Sequence, residues 1–124
     1  MKKPKILSVD DESSFTELLK QYFEPRGYEI EIASEGGKAL ELLSKNHYDV
    51  ALLDLKMTGI NGDEVMREIK RKGLDVKVIF ITAYSDSGKT KERLMAEGAY
   101  AFLEKPITSL KYLEDVLNGT AQDK

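Results

Sequence analysis

Five short apolar runs, each followed by a stretch of helical periodicity, constrain this chain more than any other feature. The runs span 6–9, 29–33, 50–53, 76–81 and 99–103. After the first, Phe15, Leu18, Leu19, Tyr22 and Phe23 fall at i, i+3, i+4, i+7 and i+8, the stripe of a helix that packs on one side. Ala39, Leu40 and Leu43 begin a second stripe, Val65, Met66 and Ile69 a third, and Leu94 with Met95 a weaker fourth. Leu110, Leu113, Val116 and Leu117 make a fifth. Gly27, Gly73, Gly98 and Gly119 follow periodic segments and are read as stops, and Pro25 also ends the first helix. Strands joined by helical crossovers imply a parallel α/β sheet covered on both faces, a doubly wound (βα)5 unit. The 124 residues suffice for one domain with a single core. The expected domain is 1–119, with 120–124 as a loose tail.

Composition narrows the chemistry. There is no cysteine, which excludes disulfides, thiolate catalysis and zinc-thiolate sites. A net charge of -3 provides no electrostatic case for nucleic-acid binding. The apolar runs are far shorter than a membrane span, and no signal-length apolar stretch follows the basic N-terminus. A soluble cytoplasmic protein is expected.

In doubly wound sheets the functional crevice lies beyond the carboxyl ends of the strands. The first run leads into Asp10 and Asp11, the third ends at Asp54, the fourth at Thr82, and the fifth leads to Lys105 and Pro106. In a sheet of order 2-1-3-4-5, strands one and three are neighbours, and the three aspartates meet with Thr82 and Lys105 beside them. Two like charges about 4 Å apart repel by about 4 kcal/mol at an effective dielectric near 20. A hard divalent cation with oxygen ligands relieves this, and few protein ligands with the rest water suits Mg²⁺. Three carboxylates, one ammonium and one divalent ion sum to zero charge. A metal, an aspartate nucleophile, a hydroxyl and a lysine form a set suited to phosphoryl transfer through an acyl phosphate.

The pieces "VDDE" (Asp10, Asp11), "LLDLKMTGINGDEV" (Asp54), "FITAY" (Thr82) and "GAYAFLEKP" (Phe102, Lys105, Pro106) resemble, in joint order and spacing, the receiver domains of two-component response regulators. The resemblance covers essentially the whole chain and implies a flavodoxin-like fold. It implies Asp54 as phosphoacceptor, Mg²⁺ held by Asp11, Asp54 and the backbone carbonyl of Lys56, and Asp10 assisting through water. It implies that Lys105 pairs with the phosphoryl group across a cis Lys105–Pro106 bond. Thr82 and Phe102 would form the switch, altering the face made by the fourth helix, fifth strand and fifth helix. The implied donor is a sensor histidine kinase or phosphotransfer protein docking on the first helix. An effector domain, a target protein or a phosphorylation-dependent homodimer would read the output. The chain would be a signalling module that catalyses only its own phosphorylation and dephosphorylation. A single-domain relay and the regulatory part of a longer DNA-binding regulator remain open alternatives, which the tail does not separate. Thr58 departs from the proline usual at its position, and Lys56 and Tyr84 stand where such domains tune phosphoryl lifetime.

Each residue also has a plain structural reading. The acidic pair could cap a helix, Asp54 could open a turn, Thr82 could be a strand residue, Lys105 solvated and Phe102 core. His47, the single histidine, reads as a surface loop residue. "AYSDSGKT" approaches a nucleotide-binding P-loop but has Ala83 where the first glycine belongs. An Asp-nucleophile, Mg²⁺-dependent hydrolase of the haloacid dehalogenase class would want a second acid where Lys56 stands.

Overall fold

The computed structural model describes residues 3–122. The elements alternate as β1 (Ile6–Val9), α1 (Ser13–Phe23), β2 (Ile30–Ala33), α2 (Gly36–Lys45), β3 (Val50–Leu53), α3 (Gly62–Arg71), β4 (Lys77–Thr82), α4 (Lys89–Ala96), β5 (Ala101–Glu104) and α5 (Leu110–Gln122). All pairings are parallel, in the order β2-β1-β3-β4-β5. This is the flavodoxin-like topology expected from the alternating pattern. β1 and β3 coincide with their apolar runs, while β2, β4 and β5 differ from theirs by one or two residues, because pairing rather than hydrophobicity ends a strand.

The strands sort their side chains with period two. Val50, Leu52, Ile79 and Ile81 join Leu19 and Phe23 of α1 and Leu113 and Leu117 of α5 in one core layer. Ala51, Leu53, Val78 and Phe80 face the other way, onto Ala39, Val65, Met66, Ile69 and Leu94 of α2, α3 and α4. Full burial of a leucine or phenylalanine side chain contributes about 1.5–3 kcal/mol. Both stripes of central-strand residues are apolar because helices cover both faces.

Local signals explain most boundaries. Pro25 cannot continue α1, and the chain tightens into a 3₁₀ turn, Glu24–Arg26, before Gly27 at φ 94°. Gly73 and Gly98 also take positive φ just beyond α3 and α4. Two expectations fail. Gly119 is no stop: α5 runs through it to Gln122, so 120–122 are helical and not a loose tail. A Cβ at Gly119 would stand 2.7 Å from the Tyr100 hydroxyl, so the glycine admits a neighbouring side chain. Thr120 is buried, which ties the last turn down, and 123–124 lie outside the described residues. Leu18 and Met95, read as stripe residues, are 47% and 39% exposed, because the buried arcs of their helices are narrower than the apolar pattern.

Candidate functional site

The sheet brings the first acid and the third-strand acid together. Val9 and Leu53 are partners in the β1–β3 register. One residue beyond, the Asp54 N–H donates to the Val9 carbonyl at 3.0 Å, while the Asp10 N–H donates to the Ala33 carbonyl at 3.1 Å. The ladders thus extend past the strands and hold Asp10 and Asp54 side by side. Carboxylate oxygens of Asp10, Asp11 and Asp54 all lie within 4.8 Å of one another. Asp10 is buried, Asp54 partly so and Asp11 exposed.

Gly62, at the start of α3, sets the floor beneath Asp54. Its N–H donates to the Leu55 carbonyl at 3.0 Å. A Cβ there would fall 2.2 Å from the Asp54 carbonyl oxygen, so only glycine permits this close approach. Asn61 caps α3 in a reciprocal pair with Glu64, and its side chain also accepts the Met57 N–H, pinning the loop that follows Asp54. Thr58, in the same loop, donates its hydroxyl to Asp11 at 3.5 Å.

Lys105 reaches the cluster from the end of β5, past a cis Lys105–Pro106 bond. Its N–H donates to the Thr82 carbonyl at 2.8 Å. Its ammonium lies 2.8 Å from Asp10, 3.0 Å from Glu12 and 3.5 Å from Asp54. Burial raises the Asp10 carboxyl and the Asp54 charge adds to this, against the Lys105 ammonium and the Glu12 N–H that bond it. Burial works to lower Lys105, but the carboxylates of Asp10, Glu12 and Asp54 reverse this and hold it above its ordinary value.

Thr82 is buried, and its hydroxyl oxygen accepts the Tyr84 N–H at 3.2 Å. Phe102 is turned inward, 9% exposed and 6.1 Å from Phe80 between ring centroids. Lys56 is exposed, and its ammonium sits 4.7 Å from the centroid of the Tyr84 ring beside the cluster. Two residues outside the expected site set also contact it. Glu12 bonds Lys105, and the Phe15 ring lies 4.7 Å from the same ammonium. Glu12 was visible as a third acid in "VDDE"; Phe15 was hidden in the helix stripe.

The carboxylates of Asp10, Asp11, Asp54 and Glu12 against the one Lys105 ammonium leave three negative charges unbalanced, and the three aspartates that cluster offer only hard oxygens. That set fits a hard divalent cation such as Mg²⁺.

A model of the response regulator receiver domain matches residues 6–117. The chain belongs to this family. Response regulator SaeR of Staphylococcus aureus is 35% identical over 103 residues. That match takes in 83% of this chain but 44% of SaeR, so the chain spans less than half the length of that relative. Among solved structures, the receiver domain of the Francisella response regulator 1452 superposes with a TM-score of 0.88 at 27% identity, covering 97% of this chain and 98% of that one. TrrA of Thermotoga maritima, solved in complex with Mg²⁺-BeF, is 36% identical with a TM-score of 0.82, covering 96% and 99%.

In the P-loop-like segment, Asp86 accepts both the N–H and the hydroxyl of Thr90, at 3.0 and 2.6 Å. A carboxylate therefore occupies the groups that a P-loop turns toward phosphate and metal. His47 is an exposed loop residue 3.1 Å from Asp49. Among the described residues, no helix is long and apolar enough to cross a membrane.

Proposed function

We propose that this receiver domain takes a phosphoryl group onto the Asp54 carboxylate from the phosphohistidine of a sensor kinase or phosphotransfer protein. The observation that carries this reading is the convergence of the Asp10, Asp11 and Asp54 carboxylates, with the Lys105 ammonium on Asp10 and Asp54. An Asp54 oxygen attacks phosphorus, the P–N bond to the donor imidazole breaks, and the imidazole leaves with the bonding pair. Lys105 is placed to neutralise the arriving phosphoryl oxygens. Asp10, Asp11, Asp54 and the Lys56 carbonyl would hold Mg²⁺, which when bound offsets negative charge on the phosphoryl group. The domain is a signalling module, and its chemistry is confined to its own acyl phosphate. The reading places it in the cytoplasm beside its donor.

Donor docking is supported by an open apolar groove of about 450 Å³ beside Lys105, lined by Phe15, Leu18, Pro106 and Ile107 among others. The switch is supported by the place of Thr82 at the end of β4, the strand beside β3, where its hydroxyl oxygen accepts only an exchangeable bond from the Tyr84 N–H. Phe102 would repack with it, biasing two pre-existing states of the α4–β5–α5 face. Met95 and Tyr112, both exposed, give that face apolar contacts for an effector domain, a target protein or a second copy. A free-standing relay and a regulatory domain joined to a DNA-binding effector would both use this face; the length of the natural gene product separates them.

Acetyl phosphate with Mg²⁺ should add about 80 Da, one phosphoryl group. Beryllofluoride with Mg²⁺ should shift the amide signals of Thr82 and Phe102. Asp54→Asn should abolish both. Tight ATP binding and hydrolysis that survived in Asp54→Asn would replace this reading with a nucleotide-site one.

A further inference from the structure

The residue at the entrance to α1 breaks a local rule. That position favours Ser, Thr, Asp or Asn, whose short side chains cap the first helical N–H groups. Glu12 stands there instead, with extended backbone and no side-chain cap bond. Its carboxylate turns away from the helix and accepts the Lys105 ammonium at 3.0 Å. The Phe15 ring lies 4.7 Å from the same ammonium, and Asp10 lies 2.8 Å away. Asp54 has the longest of the carboxylate contacts, 3.5 Å. Lys105 thus sits closer to Asp10 and Glu12 on the α1 side than to Asp54, which it still contacts at 3.5 Å.

We propose that Glu12 is a positioning residue which, with Phe15, keeps the Lys105 ammonium on the α1 side of the acidic cluster while Asp54 is unmodified. This rests on the reading of Asp54 as phosphoacceptor. Asp10 cannot release Lys105 in the same way: it is buried and fixed by the Glu12 N–H at 2.9 Å. The Glu12 side chain is 56% exposed and can exchange its contact for water. A phosphoryl group on Asp54 draws Lys105 off Glu12, so the Glu12 contact opposes phosphorylation. Glu12 and Phe15 also line the groove beside Lys105. A partner that engages Glu12 with a cation there frees Lys105 as it docks, which couples docking to the readiness of the acceptor.

Two variants separate this contact from a general effect of charge. Glu12→Gln removes the charge. Glu12→Asp keeps it, but the shorter carboxylate caps α1 and no longer reaches Lys105. The first measurement, on the whole chain without Mg²⁺, follows the side-chain ¹⁵N–¹H signal of the Lys105 ammonium, assigned by its loss in Lys105→Met. It should move in both variants and stay in place in Glu17→Gln, an exposed α1 control. The second is beryllofluoride affinity with Mg²⁺. Both variants should bind about two- to fivefold tighter, the factor an exposed ion pair commands. A Lys105 signal unmoved in both variants overturns the proposal. So does unchanged affinity in both, or a gain in Glu12→Gln with Glu12→Asp like wild type, which is the field of the charge alone. No beryllofluoride binding by the wild-type chain sinks the acceptor reading and this role with it; the preceding outcomes sink this role only.

Discussion

At the scale of single residues, the cluster depends on close approach and on what covers it. Gly62 lies where any side chain would meet the Asp54 carbonyl. Gly62→Ala should cost about 1–3 kcal/mol, the usual penalty for overfilling a packed site. Urea unfolding measures the loss, and a weaker response to beryllofluoride should accompany it because Asp54 must shift. The Lys56 ammonium lies against the Tyr84 ring, and on the proposed reading this pair would slow the access of water to a phosphorylated Asp54. An exposed cation–π contact is worth about 0.5–1 kcal/mol. Tyr84→Ala and Lys56→Ala should therefore each shorten the lifetime of the phosphorylated protein about two- to fivefold, read by the decay of the added mass or of an acid-labile radiolabel. The meeting of Asp10, Asp11, Asp54 and Lys105 was legible because strand-end acids and a strand-end lysine are anomalous beside apolar runs. The engagement of Glu12 and Phe15 was not, because it depends on which way one lysine leans.

At the scale of elements, α5 is fastened to the end of α1 by a carboxylate that composition alone would place in water. Glu114 is 5% exposed. Arg26 donates to it from Nε and Nη2, at 3.1 and 2.8 Å to the same oxygen. The hydroxyls of Tyr22 and Tyr28 donate to its two oxygens at 3.1 and 2.9 Å. The Arg26 hydrogen bond above all, with those hydroxyls, holds the Glu114 carboxyl below its ordinary 4.5 despite burial. Arg26→Ala leaves a buried acceptor short of its strongest donor and should cost about 1–3 kcal/mol. A carboxyl depressed in the folded state binds protons more weakly there than in the unfolded chain. Its stabilisation is complete above the ordinary carboxylate value and is lost as pH falls through the lowered one. The gap in urea midpoint between wild type and Glu114→Gln should accordingly narrow between about pH 6 and about pH 3. In the sequence Glu114 merely follows Leu113 in an amphipathic pattern, and nothing there pairs it with residues some ninety positions earlier. Gly119 is a second case: its place after an apolar stripe suggests a stop, yet the glycine makes room for a tyrosine packed against the helix.

At the scale of the whole molecule, the three-acid cluster sits where β1 and β3 end together, so its repulsion is set against the entire fold. A cation that binds only the folded arrangement stabilises it by mass action. Mg²⁺ at tenfold above its Kd should add about 1.4 kcal/mol and raise Tm by a few degrees. Chelation should reverse the rise, and Asp11→Asn should remove most of it. A Tm indifferent to Mg²⁺ in the wild-type chain would contradict the donor set inferred from the carboxylates.

Alternation of apolar runs and helical stripes determined the layers, the parallel sheet and the residues at its carboxyl edge. Those follow from local periodicity and from the covering of both sheet faces, which are properties of neighbouring residues. Only the tertiary structure decided where Lys105 rests among its carboxylates, that Glu114 is buried and paired, and that α5 continues beyond Gly119. Each of these depends on contacts between residues far apart in the chain. Their geometry is set by register and packing, which no local pattern encodes.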